Sequence, residues 1–171
     1  MTSPLLRVVR TTRAAELPPT WDQALAIPTP MQRRFLRVVE ASGINDIRPY
    51  YLTVLDRDDR VVAQANAFVS DTDFSTFDSK LPRQARAAIK SWFPDFMAFR
   101  IVEVGYFTMI GQGLVVGDDA DLPAVLQCLD GELVRIARLE NADFLLYRDL
   151  PGQAYDRWHP HLSTLGYTPS T

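Results

Sequence analysis
Glu103 is the lone carboxylate in the apolar, β-branched run Arg100-Ile101-Val102-Glu103-Val104. A carboxylate held among apolar neighbours loses hydration and gains proton affinity, which is the property a general base needs near neutral pH. The other reading is an outward-facing glutamate or one paired with Arg100. Tyr155 and His161 lie on a helical segment near the C-terminus, and both are residue types that donate a proton as a general acid. Such residues on a terminal amphipathic helix also serve structure alone. Gly111-Gln112-Gly113 precedes the longest helical pattern, where free backbone N–H groups can cradle a phosphate. Against that, the helix opens on Gly117-Asp118-Asp119-Ala120-Asp121, whose three carboxylates oppose an anion and instead suit acidic capping residues. Arg148-Asp149 ends a strand, where open α/β sheets tend to bind ligands, although an ion pair fixing the strand end is the simpler account.

Other clusters exclude more than they suggest. Asp71-Thr72-Asp73-Phe74-Ser75-Thr76-Phe77-Asp78 lacks the glycine and terminal glutamate of a calcium loop and reads as a capped, solvated turn. His159 and His161 diverge on a helix, so no metal site is expected. Cys128 is the single cysteine, falls in an apolar helical stripe, and rules out an internal disulfide. Apolar residues make up 47% and charged residues 23%, ordinary globular usage, and a net charge of -3 gives no general attraction to nucleic acid or anionic membranes. Without an apolar run long enough for a signal peptide or a membrane span, the expected location is cytoplasmic.

The elements that must position these residues follow from periodicity. Leu5–Arg10 reads as a strand and Trp21–Leu25 as a short helix. Thr29–Gly43 reads as a second helix, with Met31, Phe35, Val38 and Val39 on one stripe and Gly43 as its stop. The runs 50–55 and 60–69 form a hairpin around a charged turn, and 81–93 a polar helix closed by Pro94, taken as an insertion or lid. Phe99–Gly105 is a strand and Gly111–Gly117 a loop or short strand. A helix over 121–141 carries Leu122, Val125, Leu126, Leu129, Leu133, Ile136 and Ala137. Residues 142–147 form a buried strand, and Pro151–Thr164 a last helix ending near Gly166. The expectation is one α/β (α+β) domain over residues 1–171, a mixed, mainly antiparallel sheet with helices on both faces.

The stretch Arg100–Tyr167, closing on Leu165-Gly166-Tyr167, resembles the GNAT superfamily of N-acyltransferases. Trp21-Asp22-Gln23-Ala24-Leu25, Phe35–Gly43, the Tyr51-Leu52-Thr53-Val54 hairpin and Tyr147-Arg148-Asp149-Leu150-Pro151 make the whole chain similar to the N-terminal half of FemAB-like two-module acyltransferases. The resemblance implies a transferase that passes an acyl group from an acyl-coenzyme A-type donor to an amine. Glu103 would be its base, Tyr155 or His161 its acid, and Gly111, Gln112 and Gly113 its pyrophosphate loop. Leu162 stands where many GNAT enzymes keep the acid tyrosine. The alternatives are a non-catalytic GNAT-like module working through a homodimer or a second GNAT-like module, or a fold recruited to other small-molecule chemistry against Tyr106, Phe107 and Trp158.

Overall fold
The computed structural model describes residues 5–44, 47–76, 82–93, 95–106 and 109–169. Leu81, Pro94, Phe107 and the end of the 71–78 run lie outside them. The described residues form six strands and five α-helices. The strands are β1 (Arg7–Thr11), β2 (Arg48–Leu55), β3 (Val61–Asp73), β4 (Ala98–Val104), β5 (Leu114–Val116) and β6 (Phe144–Tyr147). The helices are α1 (Trp21–Ala24), α2 (Arg33–Ser42), α3 (Arg83–Trp92), α4 (Leu122–Glu140) and α5 (Gly152–Thr164). The expected mixed α/β architecture with a mainly antiparallel sheet is what the chain adopts.

The sheet runs β1-β2-β3-β4-β6, antiparallel except for the parallel β4–β6 pair that α4 bridges. β3 is the central strand, and its alternation sorts two buried sets rather than a buried and a wet one. Ala63, Ala65, Ala67 and Val69 face α4, while Gln64, Asn66 and Phe68 are buried on the opposite face. β5 also pairs with β3. Ala67 lies opposite Val104 and Ala65 opposite Leu114, so β5 resumes the line that β4 leaves. The chain leaves the sheet at Gly105 and rejoins it at Leu114, a detour centred on Asn66. Its backbone clasps both ends: Gly105 N–H donates to its carbonyl at 3.2 Å, and its own N–H donates to the Gly113 carbonyl at 2.7 Å.

α4 forms where the aliphatic spacing predicts. Asp121 caps its start by accepting from the Ala124 N–H, Asn141 closes it in the left-handed region at φ 52°, and the large aliphatic side chains of its predicted stripe are all buried, with Ala137 half-buried beside them. Each such side chain contributes about 1.5–3 kcal/mol by leaving water. With α5 residues Trp158 and Leu162 it makes the larger core. The opposite face carries a smaller core of Trp21, Ile27, Met31, Leu36, Tyr51 and Tyr106.

Two expectations need correction. The 29–43 segment is a 3-10 turn, Thr29–Met31, followed by α2. Gln32 rather than Thr29 precedes the helix, and the helix buries Leu36 while Val38 is 68% exposed. Gly43 does close it, at φ 59°. β6 is not a buried strand: among the described residues it pairs with β4 alone and its other edge is unpaired, with Phe144 53% exposed. α3 has no buried residue and is tied to the sheet by Lys90, which meets Asp73 at 2.5 Å.

Candidate functional site
Strand alternation puts Glu103 on the face opposite Val102 and Val104, away from α4 and α5. There it is buried and fully engaged. One carboxylate oxygen accepts from Ser70 Oγ at 2.7 Å and the other from Arg148 Nη1 at 2.9 Å. Arg148 also reaches Asp149 through Nε at 3.1 Å, so one guanidinium serves two acids. The partner differs from the expected Arg100, which instead binds Asp71 at 2.6 Å and holds that carboxyl below the usual range. This partly buried arrangement ties the end of β4 to the end of β6.

The arginine also fills space. A Cβ on Gly105 would lie 2.4 Å from Arg148 Cγ, so the guanidinium stem rests across the backbone where the β4–β6 pairing ends. Asp149 follows at φ 55°, turning the chain towards α5.

The predicted acids stand elsewhere. Tyr155 lines a cavity of about 700 Å³ between α4, β6, α5 and the segment after Gly166. Its ring stacks on His159 at 4.9 Å, a partner that reasoning on the histidine pair alone missed, although an i, i+4 spacing on a helix signals it. Neither Glu103 nor His161 lines this cavity. The cavity therefore holds Tyr155 without the proposed base, which touches its lining only through Arg148. Leu162, at the position where the resemblance puts an acid, is core.

Deeper in the cavity sit two tyrosines that the motifs of the resemblance contain but to which no site role was given. Tyr147 and Tyr167 meet edge to face at 5.2 Å, and Tyr167 donates its hydroxyl to Asp130 at 2.7 Å. The Tyr147 hydroxyl is buried with no hydrogen-bond partner among the described residues. Burial pushes the pKa of both hydroxyls up, and the Asp130 charge adds to it.

Gly111, Gln112 and Gly113 do not reach the start of α4, because β5 intervenes. Their glycines serve the detour. A Cβ at Gly113 would fall 2.6 Å from Gly105 backbone atoms, and one at Gly111, whose φ is 153°, would fall 2.5 Å from the Tyr106 ring. The helix start carries its own acidic cap. Among the described residues no group of three or more His, Cys, Asp or Glu can hold a metal ion, and no helix is long and apolar enough to cross a membrane.

No protein-family model matches the chain, and no solved structure matches it significantly. It is 39% identical over 144 residues, 84% of its length, to proteins of two Mycobacterium tuberculosis strains, CDC 1551 / Oshkosh and H37Rv, both named "Putative 8-amino-7-oxononanoate synthase 2". The matched part is 19% of each relative, so the chain spans about a fifth of their length. The similarity overturns the acyl-coenzyme A expectation, since a synthase of that name depends on pyridoxal phosphate. The physical reason lies in the displaced glycine loop, which β5 separates from the start of α4. Pyridoxal phosphate does not fit the described residues of this chain either. Of its two lysines, Lys80 lies outside them, and Lys90 is bound to Asp73 away from the cavity.

Proposed function
We propose that this chain is a GNAT-like module of an acyltransferase, acting in the transfer of an acyl group to an amine. The activated donor is held by a second GNAT-like module, either another copy or a partner chain. The observation that carries this reading is the parallel β4–β6 pair, bridged by α4 at one edge of an otherwise antiparallel sheet and followed by α5 and the Leu165-Gly166-Tyr167 turn. Two further features support it. Among the described residues the outer edge of β6 is unpaired, which a packing partner would cover, and the relatives bear the name of a transferase-type enzyme. Within this reading Glu103 and Arg148 position the strand ends, and chemistry falls to the α4–α5 side. The test is amide formation followed by mass spectrometry with activated acyl donors and a panel of primary amines, alongside light scattering. The expected result is a dimer or a captured second module and no turnover by the isolated monomer. A strict monomer that forms no amide under any pairing overturns it.

A further inference from the structure
We infer that the cavity between α4, β6 and α5 is a binding site for an organic ammonium compound with an apolar, preferably aromatic, body. Three observations converge. First, the walls are rings: Tyr147, Tyr155, His159 and Tyr167 line it, and aromatic faces attract cations that shed water. Second, the charge balance is negative. Asp130 and Asp149 line the cavity against one guanidinium, Arg148, which is already bound to both Glu103 and Asp149. Asp130 gives one oxygen to Tyr167 and keeps the other without a partner among the described residues. Third, the buried Tyr147 hydroxyl has no partner among the described residues, and an unmade hydrogen bond of this kind costs about 1–3 kcal/mol. An ammonium group beside Asp130 donates to the free carboxylate oxygen and to the tyrosine oxygen together. About 700 Å³ suits a ligand of modest size.

Neutral and anionic ligands of the same shape fit less well. A carboxylate would meet Asp130 with its own charge, and an alcohol would forgo the charge-assisted bond, which is about twice as strong as a neutral one. The inference rests on the acyl-transfer reading only in making this ammonium compound the acyl acceptor. Binding itself stands apart from that reading.

Titration calorimetry with the full chain tests it, using 2-phenylethylammonium, 2-phenylethanol and 3-phenylpropanoate as probes. The ammonium probe is expected to bind at least about tenfold more tightly than either other, a margin in keeping with one charge-assisted bond in a partly dry site. Tyr147→Phe removes a hydroxyl that bonds none of the described residues, so it should leave the fold intact and weaken the ammonium probe several-fold. Asp130→Asn keeps the volume and an oxygen for Tyr167, and should weaken it about tenfold or more. Equal binding of 2-phenylethanol, no ammonium binding at millimolar concentration, or unchanged affinity in Asp130→Asn overturns the site. Amide formation that survives Asp130→Asn removes the acceptor role from this cavity and leaves the acyl-transfer reading in place. Ammonium binding without amide formation does the reverse.

Discussion
The two faces of the sheet are covered by different means. On one, α4 and α5 lay down a continuous aliphatic core in which Leu126, Leu129, Leu133 and Ile136 are all fully buried. On the other, short helices and turns are stitched to the sheet by buried polar bonds. Trp21 Nε1 donates to the Met31 carbonyl at 2.7 Å, and Gln64 Nε2 to the Trp21 carbonyl at 2.9 Å. One Glu40 oxygen receives both the Ala14 N–H and the Tyr51 hydroxyl, each at 2.7 Å. A periodic helix can cover a sheet with area alone. A face covered by turns must satisfy their backbone groups with side chains, so its stability lies in a few directional contacts.

That contrast can be broken by mutation. Leu129→Ala should cost the most, about 3–4 kcal/mol, because a fully buried leucine in a rigid stripe leaves a cavity that cannot collapse. Urea unfolding followed by circular dichroism measures it. Glu40→Ala should cost about 2–3 kcal/mol on the opposite face although it deletes no apolar volume, since the Ala14 N–H and the Tyr51 hydroxyl both lose their acceptor. If it costs under about half a kcal/mol, the stitched face is held by area after all.

Alkaline pH should weaken both faces. Burial, with the Glu140 carboxylate beside it, pushes Tyr50 up from 10.0 to about 12, and burial with Glu40 pushes Tyr51 up as well. A pKa raised by folding means the native state holds the proton more tightly. Its stabilisation is therefore intact below pH 10 and is lost as pH climbs through the folded value. Unfolding midpoints should fall between pH 10 and about 12, and Tyr50→Phe should flatten part of that slope. Unchanged pH dependence in that variant would detach Tyr50 from the effect. The smallest change belongs to Val38→Lys. It should shift stability by no more than about 0.5 kcal/mol, since this valine is exposed despite its apolar spacing.

The same contrast explains what could be read from the chain alone. α4 declared itself through seven apolar positions at helical spacing, an aspartate at its start and an asparagine at its end. β2 and β3 declared themselves through alternation, and the short charged turn between them fixed the pairing. The α2 stripe misled, because Met31 packs from a 3-10 turn before the helix and shifts the buried side to Leu36. β6 misled because Phe144-Leu145-Leu146-Tyr147 is as apolar as an interior strand, and apolarity does not say which strand ends the sheet. At the candidate site, the ion pair of Glu103 was foreseeable as a type of contact, but its partner lies 45 residues on, a distance that spacing rules do not cover. The Tyr147–Tyr167 pair and the Asp130 contact join three elements and left no local signal.

The detour at Asn66 bears on how this domain can change over time. Leu114 returns to the strand that Val104 left, opposite the next outlying partner on β3, so the sheet does not register how long the excursion is. Lengthening a loop whose ends are already clasped costs only a fraction of a kcal/mol per doubling beyond the first few residues, about 0.6 by chain statistics. New segments could accumulate there without re-threading the core, which makes this point a natural graft site for foreign sequence.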